Sequence, residues 1–170
     1  MKTPFLPLFD EFETLCARGN LDPVHATVLA DSETPVSAFL KLRAQNPDAP
    51  CFLLESVEGG ENLARYSFLG VGSRGELVSR GREISVSFDG QTQNFTLGEG
   101  QDPLSVIERE MGRFAFVETP HLPRFCGGAV GFLGWELVRF FEKLPAAPPD
   151  DRDIPDCHLL FTDTLLVFDA

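Results

Sequence analysis

Apolar positions recur along this chain at two periods, and the switches between them outline the elements. Leu8, Phe9, Phe12, Leu15 and Cys16 fall at helical spacing ahead of Gly19, which predicts a short helix with a glycine stop. Val24, Ala26, Val28 and Ala30 alternate with other residues, the pattern of a strand. The stretch TPVSAFLKLRAQNP (34–47) carries helix punctuation. The Thr34 hydroxyl can accept an orphan N–H of the first turn, Pro35 suits a position that needs no donor, and Pro47 prevents continuation. Val36, Phe39, Leu40 and Ala44 form the expected buried stripe of this helix.

The period then drops to two. Strands are expected near 51–57, 63–72, 75–80, 83–88 and 92–97, with EGGEN, RGRE and Asp89-Gly90 between several of them. An Asp-Gly pair between two alternating runs is a two-residue hairpin signal. Asp102-Pro103 opens a second capped helix, with Leu104, Ile107, Met111 and Phe114 on one side. CGGAVGFLGW (126–135) reads as a glycine-rich strand. ELVRFFEKL (136–144) returns to helical spacing, with Leu137, Phe140, Phe141 and Leu144 inward. A proline-rich acidic loop (145–156) precedes a last strand-like run, HLLFTDTLLVFDA. This order predicts an α+β fold: a mainly antiparallel β-sheet with helices packed against it. The chain stops straight after Leu165–Phe168, where a domain ordinarily closes with a polar tail, so a continuation beyond these residues is expected.

Bulk composition narrows the function. With 170 residues and 43% hydrophobic positions, the chain can bury a real core. A formal net charge of −12 offers no basic footprint for nucleic acid and no attraction to anionic membrane surfaces. No apolar run approaches the ~20 residues of a membrane span, and MKTPFLPLFDEFE lacks the apolar stretch of a signal peptide. Cys16, Cys51, Cys126 and Cys157 are scattered without a C-x-x-C pair, which fits a cytoplasmic setting with thiols acting as small core hydrophobes.

One stretch carries chemistry. FLLES (52–56) and RYSFLG (65–70) each set a charge on the shoulder of an apolar strand. A hairpin centred on Gly60 would place Glu55 opposite Arg65, with Ser67 on the same face and Tyr66 and Phe68 directed into the core. A carboxylate, a guanidinium and hydroxyls at one sheet end suit a free amino acid. Glu55 could accept from its ammonium, and Arg65 and Ser56 could donate to its carboxylate. The plainer reading of the same residues is a cross-strand Glu55–Arg65 ion pair with no further role.

Other patterns point to no site. Gly128, Gly131 and Gly134 lack a following Gly-Lys-Ser/Thr and a βαβ context, and read as positions of close strand approach. His25, His121 and His158 have no metal-ligand spacing, and no Ser/His/Asp group is legible. Glu136, Arg139 and Glu142 read as a solvated stripe, and DDRD (150–153) as a soluble loop.

VLADSETPVSAF, FLLESVEGGENLARYSFLG and GGAVGFLGWELVRFFE resemble, in order, the N-terminal region of the anthranilate synthase large subunit (component I). The resemblance spans nearly all of residues 1–170 and implies one N-terminal regulatory region, with the C-terminal chorismate-binding catalytic region outside it. It implies a lyase of tryptophan biosynthesis that makes anthranilate and pyruvate from chorismate and ammonia. A glutaminase subunit (component II) would supply the ammonia and Mg²⁺ would assist in the chorismate site. No catalytic residue, metal ligand or cofactor site is assigned to these residues, and the fragment alone is expected to be inactive. The resemblance places tryptophan feedback binding on Glu55 and Ser56, and on Arg65 as the following basic residue. Phe132 and Trp135-Glu136 stand where members of the family often carry a tyrosine and a Tyr-Asp pair, so any hydrogen bond from those phenols is lost here. The large subunit of para-aminobenzoate synthase and a stand-alone amino-acid-binding or subunit-docking module are the alternatives. The 16 phenylalanines suggest an apolar face left for a larger assembly or for self-association.

Overall fold

The computed structural model describes residues 4–55, 65–146 and 149–169. Two antiparallel sheets organise them. The smaller has the order β1-β2-β8, from β1 (Cys51–Leu54), β2 (Tyr66–Val71) and β8 (Leu166–Asp169). The larger has the order β5-β4-β3-β7-β6, from β3 (Gly75–Arg80), β4 (Glu83–Phe88), β5 (Gln91–Thr96), β6 (Gly128–Leu133) and β7 (Cys157–Thr162). Three α-helices, α1 (Phe9–Cys16), α2 (Pro35–Gln45) and α3 (Pro103–Met111), and a 3₁₀ helix at Trp135–Phe140 complete the fold. The α+β class expected from the sequence is the one observed.

The larger sheet owes its core to strict alternation. Leu77 faces Val86 on one side and Leu159 on the other; Ser79 likewise faces Ile84 and Cys157. Opposed residues share a face, so these side chains make one buried surface, with Phe161 at its end. Val106 of α3 and Leu137 of the 3₁₀ helix join that surface, with Ile107 and Phe140 packed against it. The turn between β4 and β5 holds Asp89 at φ 51° and Gly90 at φ 79°, the two positive values that an Asp-Gly hairpin supplies.

β6 approaches β7 as closely as backbones allow. A Cβ at Gly131 would stand 1.9 Å from the His158 carbonyl oxygen, and one at Gly134 would stand 2.9 Å from that of Asp156. Gly131 and Gly134 are thus positions of close backbone approach, whereas a Cβ at Gly128, at φ 130°, would meet nothing nearer than 3.7 Å.

Several expected faces are rotated. Residues 24–31 form no strand; only His25 pairs, through a bridge to Leu6, and Val28 and Leu29 are exposed. Alternation alone gives no strand where no partner edge is free. Thr34 caps α2 and shares a capping box with Ser37, but the inward line is Pro35, Ala38, Phe39 and Leu42, while Val36, Leu40 and Ala44 face solvent. On α1 no residue is buried. The helix expected over 136–144 is a 3₁₀ helix at Trp135–Phe140 rather than an α-helix, and Phe141 and Leu144 beyond it stay exposed. The terminal run is two strands in different sheets, not one. Cys157 is a core thiol, pushed up to about 11 by burial and then by Asp156; Cys16 is exposed. Phe5, Phe9, Phe116, Phe132 and Phe141 are exposed.

α3 buries a carboxylate. Its inward line is Pro103, Val106 and Glu110, where the sequence pattern pointed to Leu104 and Met111. Glu110 is 6% exposed. It accepts from Arg109 Nε at 2.9 Å and from Arg113 Nη1 at 2.8 Å. Burial alone would raise its titration point, but the hydrogen bonds and charges of the two arginines outweigh it and hold the carboxyl below the usual carboxylate range.

Two outcomes follow from this packing. Gly131→Ala must move β6 off β7 and should destabilise the chain by about 1–3 kcal/mol, read as a lowered urea midpoint with β-sheet circular dichroism retained. A carboxyl depressed in the folded state stabilises above its unfolded value, ~4.3, and that contribution is lost as pH falls through the folded value. Thermal melts should therefore show the parent losing stability below about pH 4.3 more steeply than Glu110→Gln. At pH 7 the variant should be less stable by about 1–2 kcal/mol, the worth of charge-assisted hydrogen bonds to solvated arginines.

Candidate amino-acid site at the end of the small sheet

β2 is the central strand of the small sheet. The pairs Cys51↔Val71, Leu53↔Leu69 and Leu54↔Phe68 fix its register against β1. That register differs by two residues from a hairpin centred on Gly60. One step beyond the last pair, Glu55 falls opposite Ser67 rather than Arg65. A two-residue shift keeps every β1 and β2 side chain on the face expected for it. The face assigned to the core, however, is the less buried one. Leu69 is fully buried on the face it shares with Leu53, with α2 lying against β1 and β2. Tyr66 and Phe68 are only half-buried. Phe68 meets Phe125 edge-on, with centroids 5.3 Å apart.

Arg65 stands just before β2 and is exposed. Its partner comes from β8, which pairs with the other side of β2 through Tyr66↔Asp169 and Ser67↔Phe168. Arg65 Nε donates to Asp169 Oδ1 at 2.5 Å and Nη2 donates to Oδ2 at 2.7 Å. The guanidinium carbon lies 4.9 Å from the centroid of the Tyr66 ring, so the side chain folds over that ring toward Asp169. The fork-on-fork hydrogen bonds and the opposite charge raise the arginine and hold the Asp169 carboxyl below the usual range.

The ion pair at this sheet end is therefore Arg65–Asp169, not Glu55–Arg65. Glu55 lies exposed immediately after β1, and among the described residues none hydrogen-bonds its carboxylate. Ser56 lies outside the described residues. The structure thus brings Glu55 and Arg65 to one end of one sheet and adds Asp169, which sequence reasoning missed. Its signal was present: a carboxylate closing a final apolar strand, LLVFD. Only the strand order β1-β2-β8 turns that into proximity.

The positions where tyrosine and aspartate are expected lie elsewhere. Phe132, on the outer face of β6, packs against His158, and Trp135 is 82% exposed. Glu136 accepts from Arg139 within the 3₁₀ helix, the solvated pairing that its spacing suggested. Among the described residues no three His, Cys, Asp or Glu side chains converge as metal ligands. No helix among them is long and apolar enough to cross a membrane.

No family model matches the chain. Many curated proteins do, among them three from distant organisms. Anthranilate synthase component 1 of Acetivibrio thermocellus is 41% identical over 165 residues, covering 97% of this chain and 32% of the relative. The component 1 protein of Pseudomonas putida is 40% identical over 164 residues, 94% of this chain and 32% of its own. The chloroplastic anthranilate synthase alpha subunit 2 of Arabidopsis thaliana is 38% identical over 180 residues, 98% of this chain and 29% of its own. The chain spans about a third of the length of the curated relatives it matches, and over that span it belongs to the anthranilate synthase component 1 family.

Proposed function

We propose that this chain is the N-terminal, non-catalytic portion of an anthranilate synthase large subunit, and that the end of its small sheet forms part of a tryptophan feedback site. The observation that carries the reading is the match to component 1 proteins across 97% of the chain, together with the convergence of Glu55 and Arg65 at one sheet end. The whole enzyme would convert chorismate and ammonia to anthranilate and pyruvate, drawing ammonia from a glutaminase subunit. Magnesium would act in the chorismate site, outside these residues.

The chemistry of the sheet end suits a zwitterion. Glu55 can accept from an ammonium, and Arg65 can grip a carboxylate with two parallel N–H donors. Asp169 already occupies that fork, so a ligand carboxylate competes with it. The exchange is mild because both partners are exposed and solvent screens them. The site is incomplete as an indole pocket. Apolar burial yields about 25 cal/mol per Å², and the sheet end supplies one wall only. Tight inhibitor binding then requires a second wall from the remaining two thirds of the protein. Feedback follows if tryptophan prefers the less active arrangement, a difference of about 1–3 kcal/mol between states.

Two measurements test this. In the full-length protein Ser56→Phe should fill the pocket, raising the tryptophan concentration for half-inhibition more than tenfold (about 1.4 kcal/mol) while anthranilate formation from chorismate and ammonia stays near the parent's. Unchanged sensitivity would place the inhibitor elsewhere, and para-aminobenzoate as product would overturn the assignment of the reaction. Asp169→Asn should free the Arg65 fork and tighten tryptophan inhibition several-fold; weaker inhibition would mean that Arg65 serves the sheet and not the ligand.

A further inference from the structure

A second feature lies between the sheets, on the Phe68 side of β2. A cavity of about 530 Å³ is bounded by the Leu21–His25 segment, the Leu122–Gly128 loop, the end of β7 and the crossing at 163–165. Its apolar wall includes Phe88, Phe114, Phe116 and Phe161. Asp22 and His25 also line it, and both Asp22 carboxylate oxygens and His25 Nδ1 are buried with no hydrogen-bond partner among the described residues. A carboxylate stripped of water and of partners is among the costliest groups a fold can hold.

The backbone keeps Asp22 where it is. Leu21 N–H donates to the Ala115 carbonyl at 3.2 Å, and Val117 N–H donates back to the Leu21 carbonyl at 2.9 Å. Asn20 adds two side-chain bonds, to the Arg113 carbonyl at 2.8 Å and from Ala115 N–H at 2.6 Å. On the other side, His25 and Leu6 exchange a pair of backbone bonds of 2.8 Å each. The segment is clamped at both ends with its acid turned to the cavity margin. The charged groups nearby do not satisfy it. Arg74, on the wall, is held by both oxygens of Asp89; Arg124 is exposed; Asp163 is a second acid.

We infer that this cavity receives a cationic group on an apolar stem, an ammonium or a guanidinium, with Asp22 as its counter-ion. A carboxylate only accepts, so its partner must donate. The aromatic wall suits an apolar stem and attracts a cation to its ring faces. The volume matches that of small-ligand pockets. The cation is either a free amine or a lysine or arginine side chain from the part of the protein outside this chain.

The test titrates the ¹⁵N-labelled chain with phenethylammonium, 2-phenylethanol and 3-phenylpropionate, three probes of one shape and different charge. The ammonium should bind at least tenfold more tightly than the alcohol, and the carboxylate should not bind. Shifted resonances should map to 20–25, 114–117 and 161–165. Asp22→Asn should abolish the preference for the ammonium and raise the melting temperature of the unliganded chain, because an uncompensated charge is removed. Ser56→Phe should leave the ammonium response intact, so failure here is separable from failure of the feedback site. In a chain lengthened to its relatives' size, persistent ammonium binding identifies a free amine. Loss of that binding, with Asp22→Asn now destabilising, identifies a side chain of the added polypeptide. Equal affinity for ammonium and alcohol, shifts centred on Glu55 and Arg65, or an Asp22→Asn chain that is less stable or fails to fold would overturn the inference.

Discussion

Three residues, Asp163, Thr164 and Leu165, constrain the rest of this molecule. They carry the chain out of the large sheet at Thr162 and into the small sheet at Leu166. β7 is sandwiched between β3 and β6, so its end is fixed by two neighbours. β8 has only β2. So short a crossing leaves little freedom between the two ends. The position of Asp169, and with it the orientation of Arg65, is therefore inherited from the packing of β7. The same crossing lines the inter-sheet cavity. Both candidate sites thus rest on one strand switch.

The sequence made the large sheet legible because β3, β4 and β7 obey a two-residue period and the β4–β5 hairpin has its own turn chemistry. Leu77, Ile84, Val86 and Leu159 could be placed by alternation, and Asp89-Gly90 by the positive φ values it tolerates. Helix starts were legible for the same local reason: Thr34 and Asp102 each accept a backbone N–H from three residues on. What sequence could not give was direction. Leu40 and Leu104 are as apolar as Phe39 and Val106, yet they are exposed. A short helix under a small sheet presents more apolar surface than one contact can cover. Which line turns inward is decided by the neighbour, not by the helix.

The sheet-end site shows the same division. Glu55 and Arg65 stood out because charges seldom shoulder apolar strands. Their relation was misjudged by two residues because loop length, not strand pattern, sets hairpin register. Parity survived the shift. Asp169 was invisible as a neighbour, since nothing local says that a strand more than 100 residues later will lie beside β2 (the separation is 104). Non-local pairing is where reading along a chain loses its warrant.

Glu110 and Asp22 show how the fold treats a buried acid in two ways. Glu110 lies on the inward line of α3, where its two arginines reach it from the solvent side, and its charge is matched on the spot. Asp22 lies on a clamped segment beside a cavity whose Arg74 is already bound to Asp89, and its own partner is not among the described residues. If burying acids were merely tolerated here, Glu110 would not need two donors. That it has two sets the standard by which Asp22 is read: a fold that answers one buried carboxylate with a pair of guanidinium donors leaves the other facing an aromatic cavity because the answering charge arrives from outside this stretch of chain.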